Sequence, residues 1–133
     1  MSQNKHERIY ALQGAQNGPQ GNMSPAEIYE DAVLEFPAVW PQDPSRNWES
    51  LYDGKLPSRE RISNLLARHI EAAEVLVLLH SDPGIGLITT KDEATQFIVD
   101  HFLKADIQVS DRHYTCFVEI SRIGVGTGWR KHA

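Results

Sequence analysis

The chain has little to staple it, anchor it or charge it positively. Of 133 residues only Cys116 is a cysteine, so no intrachain disulfide can form and a reducing compartment is expected. No apolar run approaches the ~18–20 residues needed to span a bilayer. The charged N-terminal stretch leads into only Ile9-Tyr10-Ala11-Leu12, too short for the core of a signal peptide. The expectation is a cytoplasmic protein with no membrane contact. Basic residues are few: 13 Lys and Arg face 18 Asp and Glu, for a net charge of −5. The densest basic groups, Arg59/Arg61/Arg68 and Arg130-Lys131, fall short of a patch that could displace counterions from phosphates, so nucleic-acid binding is not expected. Residues 1–56 hold eight acids against four bases, and 57–133 hold ten against nine. That asymmetry favours a basic partner protein over an acidic one.

Metal and nucleotide signatures are equally thin. The six histidines include no His-x3-His pair, and one cysteine cannot build a thiolate cage. Gly124-Val-Gly-Thr-Gly128 looks like a phosphate loop, but only Trp129–Ala133 follows it, too little for the helix whose N-terminus would face the phosphate. No Ser-centred elbow, P-loop or zincin motif is present. The sequence implies no cofactor and no metal.

What is there begins with Glu74-Val-Leu-Val-Leu-Leu-His80, the longest apolar run. A run this short and rich in Val and Leu reads as a strand, Val75–Leu79, buried on both faces. Helical spacing precedes and follows it. Ser24-Pro25-Ala26-Glu27 is a capping box with proline at the first helical position, and Ile28, Tyr29, Ala32, Val33 and Phe36 then recur at helical intervals until Pro37. Pro57-Ser58 opens a helix from Arg59 to about Ala73. Thr90-Lys91-Asp92-Glu93 is a second capping box, with Ala94, Phe97, Ile98, His101 and Phe102 as the stripe behind it. Gly86–Thr89 reads as the return of a hairpin, Ile107–Val109 as a short strand, and His113–Arg122 as a strand with alternating faces. Residues 124–129 read as a loose glycine-rich tail.

The expected fold is a single α+β domain over 24–133. Its core is a largely antiparallel sheet of about four strands (ββαββ), with helices packed on one face and a helical segment at the N-terminal side. Residues 1–23, rich in Gly, Gln and Asn, read as a flexible segment. Residues 37–57 form a proline-punctuated excursion carrying Trp40, Trp48 and Tyr52, in which Ser45 would cap a short helix.

Three functional readings follow, each with its own residues. Aromatics dominate binding hot spots, so Trp40, Trp48 and Tyr52 are candidate anchors, with Glu27, Glu30, Asp31 and Glu35 steering a basic partner. This profile resembles intracellular inhibitor or immunity-type proteins, which bind and block another protein. An alternative is a small hydrolase using His80 and Asp82 at one turn with Asp111 and His113 at another, provided the two turns lie together. A small-ligand-binding domain is the third, with its pocket between the sheet and residues 37–57. His69 and His101 lie on apolar stripes and would approach one another if their helices covered the same sheet face. Cys116, mid-strand, reads as an inert small hydrophobe. An exposed edge at Ile107–Val109 would let two copies pair as a homodimer.

Overall fold

The computed structural model describes residues 24–36, 47–81 and 83–130, and within them the chain is an α+β fold organised on an antiparallel sheet. Helix α1 spans Pro25–Ala32 and runs into a 3-10 turn at Val33–Glu35. Three two-residue strands, β1 (Glu49–Ser50), β2 (Tyr52–Asp53) and β3 (Leu56–Pro57), precede helix α2 (Arg59–His69). Then come β4 (Glu74–His80), β5 (Ile85–Thr90), helix α3 (Lys91–Asp100), β6 (Asp106–Ser110), β7 (Cys116–Ile120) and β8 (Val125–Arg130). The main sheet has six strands in the order β1-β8-β7-β6-β4-β5, and β2 and β3 pair as a separate small hairpin.

Alternation along β4 explains the layering. Val75, Val77 and Leu79 point to one side, where they join Ile62, Leu65 and Leu66 of α2 and Ala94, Phe97 and Ile98 of α3 in the larger core. Leu76 and Leu78 point to the other side and pack with Ile28, Ala32 and Phe36 of α1 and its 3-10 turn, together with Ile88 and Phe117. A strand apolar on both faces needs cover on both. Helices therefore lie on both faces of the sheet, not on one as the sequence suggested.

Other differences have local causes. The sheet has six strands rather than about four because β8 forms where a loose tail was expected, and because β1 pairs with it where a short helix was proposed after Ser45. The glycines of β8 are packing devices. A Cβ at Gly126 would stand 2.7 Å from Leu65 Cδ2, and one at Gly128 would stand 2.3 Å from His69 Cγ, so α2 rests directly on β8. Strand β7 starts at Cys116, since Asp111 folds residues 111–115 into a turn by accepting from the backbone N–H groups of Thr115 (2.7 Å) and Cys116 (3.1 Å). Strand β6 lies between β4 and β7, so Ile107–Val109 is interior and offers no edge to a second copy. Residues 1–23 and 37–46 lie outside the described residues, and so does the expectation of flexibility placed on them. Among the described residues no helix is long and apolar enough to cross a membrane.

Candidate functional site

Helix α1 is held on one face and exposed on the other. Ser24 Oγ accepts from Glu27 N–H (3.2 Å) while Glu27 Oε1 accepts from Ser24 N–H (3.1 Å), the reciprocal cap anticipated from the sequence. Those bonds hold the Glu27 carboxyl below its usual range. Ile28 and Ala32 are wholly buried against the sheet. Burying the isoleucine alone contributes about 1.5–3 kcal/mol. Close approach is possible because β5 presents Gly86: a Cβ there would lie 2.6 Å from Ile28 Cγ2 and 2.7 Å from the Tyr29 backbone nitrogen. On the outer face Glu27, Glu30, Asp31 and Glu35 are exposed, and Leu34 among them is 88% exposed. No lysine or arginine occurs between residues 24 and 36.

Beneath α1 runs a polar row that the sequence reading missed. Gln108 on β6 lies directly across from Glu119 on β7, and Glu119 directly across from Thr127 on β8. Gln108 Nε2 donates to Glu119 Oε1 (2.7 Å), which leaves Gln108 Oε1 to accept from His80 Nε2. With Nε2 the donor to Gln108, Nδ1 is the ring nitrogen left to accept from the Tyr29 hydroxyl of α1 (2.8 Å). The Tyr29 ring stands edge-on to His80 at 5.4 Å. One chain of hydrogen bonds thus links the outer helix to a carboxyl group deep in the sheet. Glu119 is 6% exposed, and burial pushes its carboxyl up to about 8, helped by the neighbouring Asp106 charge and opposed by the Gln108 bond. At neutral pH Glu119 is a protonated acid, able to donate as well as accept. The signal for it was Phe117: an aromatic two residues earlier on the supposedly outward face means that this face is covered.

The other candidates separate. His80 pairs with Asp106 at the start of β6, whereas Asp111 follows its end. At about 3.3 Å per residue the two turns lie roughly 16 Å apart. His80 and the Asp111/His113 turn therefore form no common acid–base site, and Asp82 lies outside the described residues. Asp111 is a turn-former: burial pushes its carboxyl up, but bonds from Thr115 and Cys116 and the nearby His113 outweigh this and hold it below its ordinary value. His113 is exposed. Helices α2 and α3 run antiparallel, with Lys91 Nζ donating to Ile70 O (2.9 Å) at one end and Arg59 Nη1 to Gln96 Oε1 (2.6 Å) further along. His69 and His101 consequently sit at opposite ends of the pair. His101 turns back on the Phe97 carbonyl (2.8 Å).

Tyr52 is half-buried, edge-on to Phe102 at 5.3 Å, and its ring lies over Gly124, whose φ of +92° glycine adopts without strain. It staples the β2–β3 hairpin to the sheet and lies away from α1. Trp40 lies outside the described residues. Trp48 is partly buried, and its indole N–H has no hydrogen-bond partner among the described residues. It lines a cleft of about 340 Å³ beside Glu49, Arg68, His69 and Trp129. Cys116 is buried and unpaired. Among the described residues no three metal-ligating side chains converge. The chain matches no protein-family model, no curated protein and no solved structure.

Proposed function

We propose that this protein is a small interaction module that binds, and thereby blocks, a cationic partner protein, in the manner of an inhibitor or immunity protein. The outer face of α1 is the contact surface. The observation that carries this reading is Leu34, 88% exposed and set among four exposed carboxylates on α1 and its 3-10 turn, whose opposite face is sealed. A helix kept only for the core has no need of a protruding leucine ringed by charge of one sign. Four exposed acids with no lysine or arginine among them accelerate encounter with a basic surface and discriminate against acidic ones, while Leu34 supplies apolar contact once docked. A partner whose working surface must itself be cationic, as a surface that binds nucleic-acid phosphates is, would be covered by such a face. The Tyr29–His80 bond and the close approach at Gly84 and Gly86 hold the helix in one orientation, so little ordering is left to oppose binding.

The test is capture from the protein's own source cells with immobilised wild type and with Glu30→Lys/Asp31→Lys/Glu35→Lys, at about 50 and 500 mM salt. The expected result is a basic protein held by wild type at low salt, released at high salt and missing from the triple variant. Equal capture by both forms at both salts would refute the reading.

A further inference from the structure

A second site lies on the opposite side of the molecule, at the edge of β8. Strand β1 pairs with Val125 and Gly126, and beyond them Thr127–Trp129 line an opening. The walls of that opening are Trp48, the His69 ring lying on Gly128, and Trp129, which is itself stacked on Phe117 at 5.5 Å. Its volume of about 340 Å³ is in the range of small-ligand pockets. A shallower depression of about 260 Å³ adjoins it along α2, sharing Glu49 and Arg68 and adding Arg61 and Asn64. Positions 61, 64 and 68 recur at helical spacing, so both guanidiniums look down on β1 from one flank of α2, about 10 Å apart.

We propose that this cleft binds a small planar aromatic anion, its ring against Trp48 and His69 and its carboxylate or phosphate at Arg68. Three features select that chemistry. Indole and imidazole faces suit a flat ring. Two guanidiniums against the single Glu49 carboxylate leave the groove net positive. Arg68 engages Glu49 through Nη2 alone (2.7 Å), so its remaining donors can hold a second oxyanion. His69 reinforces the choice, because burial and the Arg68 charge hold it neutral at pH 7, leaving its ring apolar enough to stack. Trp48 adds a second indication. Its buried N–H has no hydrogen-bond partner among the described residues, a donor that an occupant oxygen would satisfy.

The experiment is 15N–1H titration of the full chain, following the Trp48 indole N–H, identified by its loss in Trp48→Phe. The probes are adenosine monophosphate, 2-naphthoate and the neutral 2-naphthamide. The phosphate and carboxylate arms decide which anion the cleft prefers. The expected result is saturable shifts at Trp48 Nε1 and at Thr127–Trp129 with a Kd between about 1 μM and 1 mM for at least one anion. Binding should weaken about tenfold in Arg68→Gln and be unchanged on removing the exposed charge in Lys104→Gln. No saturation with either anion overturns the proposal. So does equal binding of 2-naphthamide, or affinity that survives Arg68→Gln.

Discussion

Replacing Glu119 by glutamine should remove most of one component of the protein's pH dependence. In the folded chain this carboxyl titrates at about 8, against an ordinary 4.5. Between those values the native state holds a proton that the unfolded state releases. Stability is therefore full below about pH 4.5 and falls as pH rises toward 8. At about 1.4 kcal/mol per pH unit, that window sets a ceiling of roughly 5 kcal/mol. Residual structure in the unfolded chain and water reaching the group lower the realised figure to about 2–5 kcal/mol. Glutamine keeps the shape, and its Oε1 can still accept from Gln108 Nε2, but it carries no titrating proton. Glu119→Gln should match wild type within about 1 kcal/mol at pH 5 and exceed it by about 2–5 kcal/mol at pH 8. With a urea slope near 2 kcal/mol per molar, the gain is a midpoint about 1–2.5 M higher at pH 8. Urea melts at pH 5, 6, 7 and 8 read it out. A wild-type-minus-variant difference that stays flat across those four values would refute the assignment of a buried neutral acid.

Other consequences of the packing are as direct. Gly128→Ala drives a Cβ into the His69 ring and should cost about 1–3 kcal/mol in thermal or urea unfolding. The same substitution in a His69→Ala background should cost distinctly less, as the double-mutant cycle will show. Asp111→Ala frees the N–H groups of Thr115 and Cys116 and should cost about 2–3 kcal/mol. Since that carboxyl lies below its ordinary 3.8, the cost is full above about pH 4 and shrinks on further acidification, which unfolding curves at pH 3 and 6 would reveal. Charge reversal at Glu30, Asp31 and Glu35 touches only exposed groups and should leave the melting midpoint within a few degrees of wild type.

Much of this architecture was legible because local and global signals agree. Val75–Leu79 reads as a doubly buried strand from its Val/Leu run, and α1 announces itself through Ser24, Pro25 and Glu27. What could not be read is which side of the sheet each helix covers. Periodicity identifies the buried stripe of a helix but not the layer that it buries against. Strand β8 was hidden because glycines weaken strands in general, whereas here Gly126 and Gly128 admit α2. Glu119 was hidden for the converse reason: alternation assigns a strand's charged positions to solvent, and only the cover over Phe117 reverses that. The His80/Asp111 pairing failed on topology, since antiparallel β4 and β6 send the two turns to opposite ends. The acidic residues of α1 needed no tertiary information, because a capped amphipathic helix dictates both of its faces.

The most direct test places a photo-crosslinking amino acid at Leu34 and, as a control, at exposed Ala67 on α2, then irradiates living source cells. A discrete adduct with a basic protein from position 34 is expected, absent from position 67 and abolished by lysine at residues 30, 31 and 35. Identical adducts from both positions, or one at 34 that persists after charge reversal, would contradict a partner steered onto the acidic face of α1.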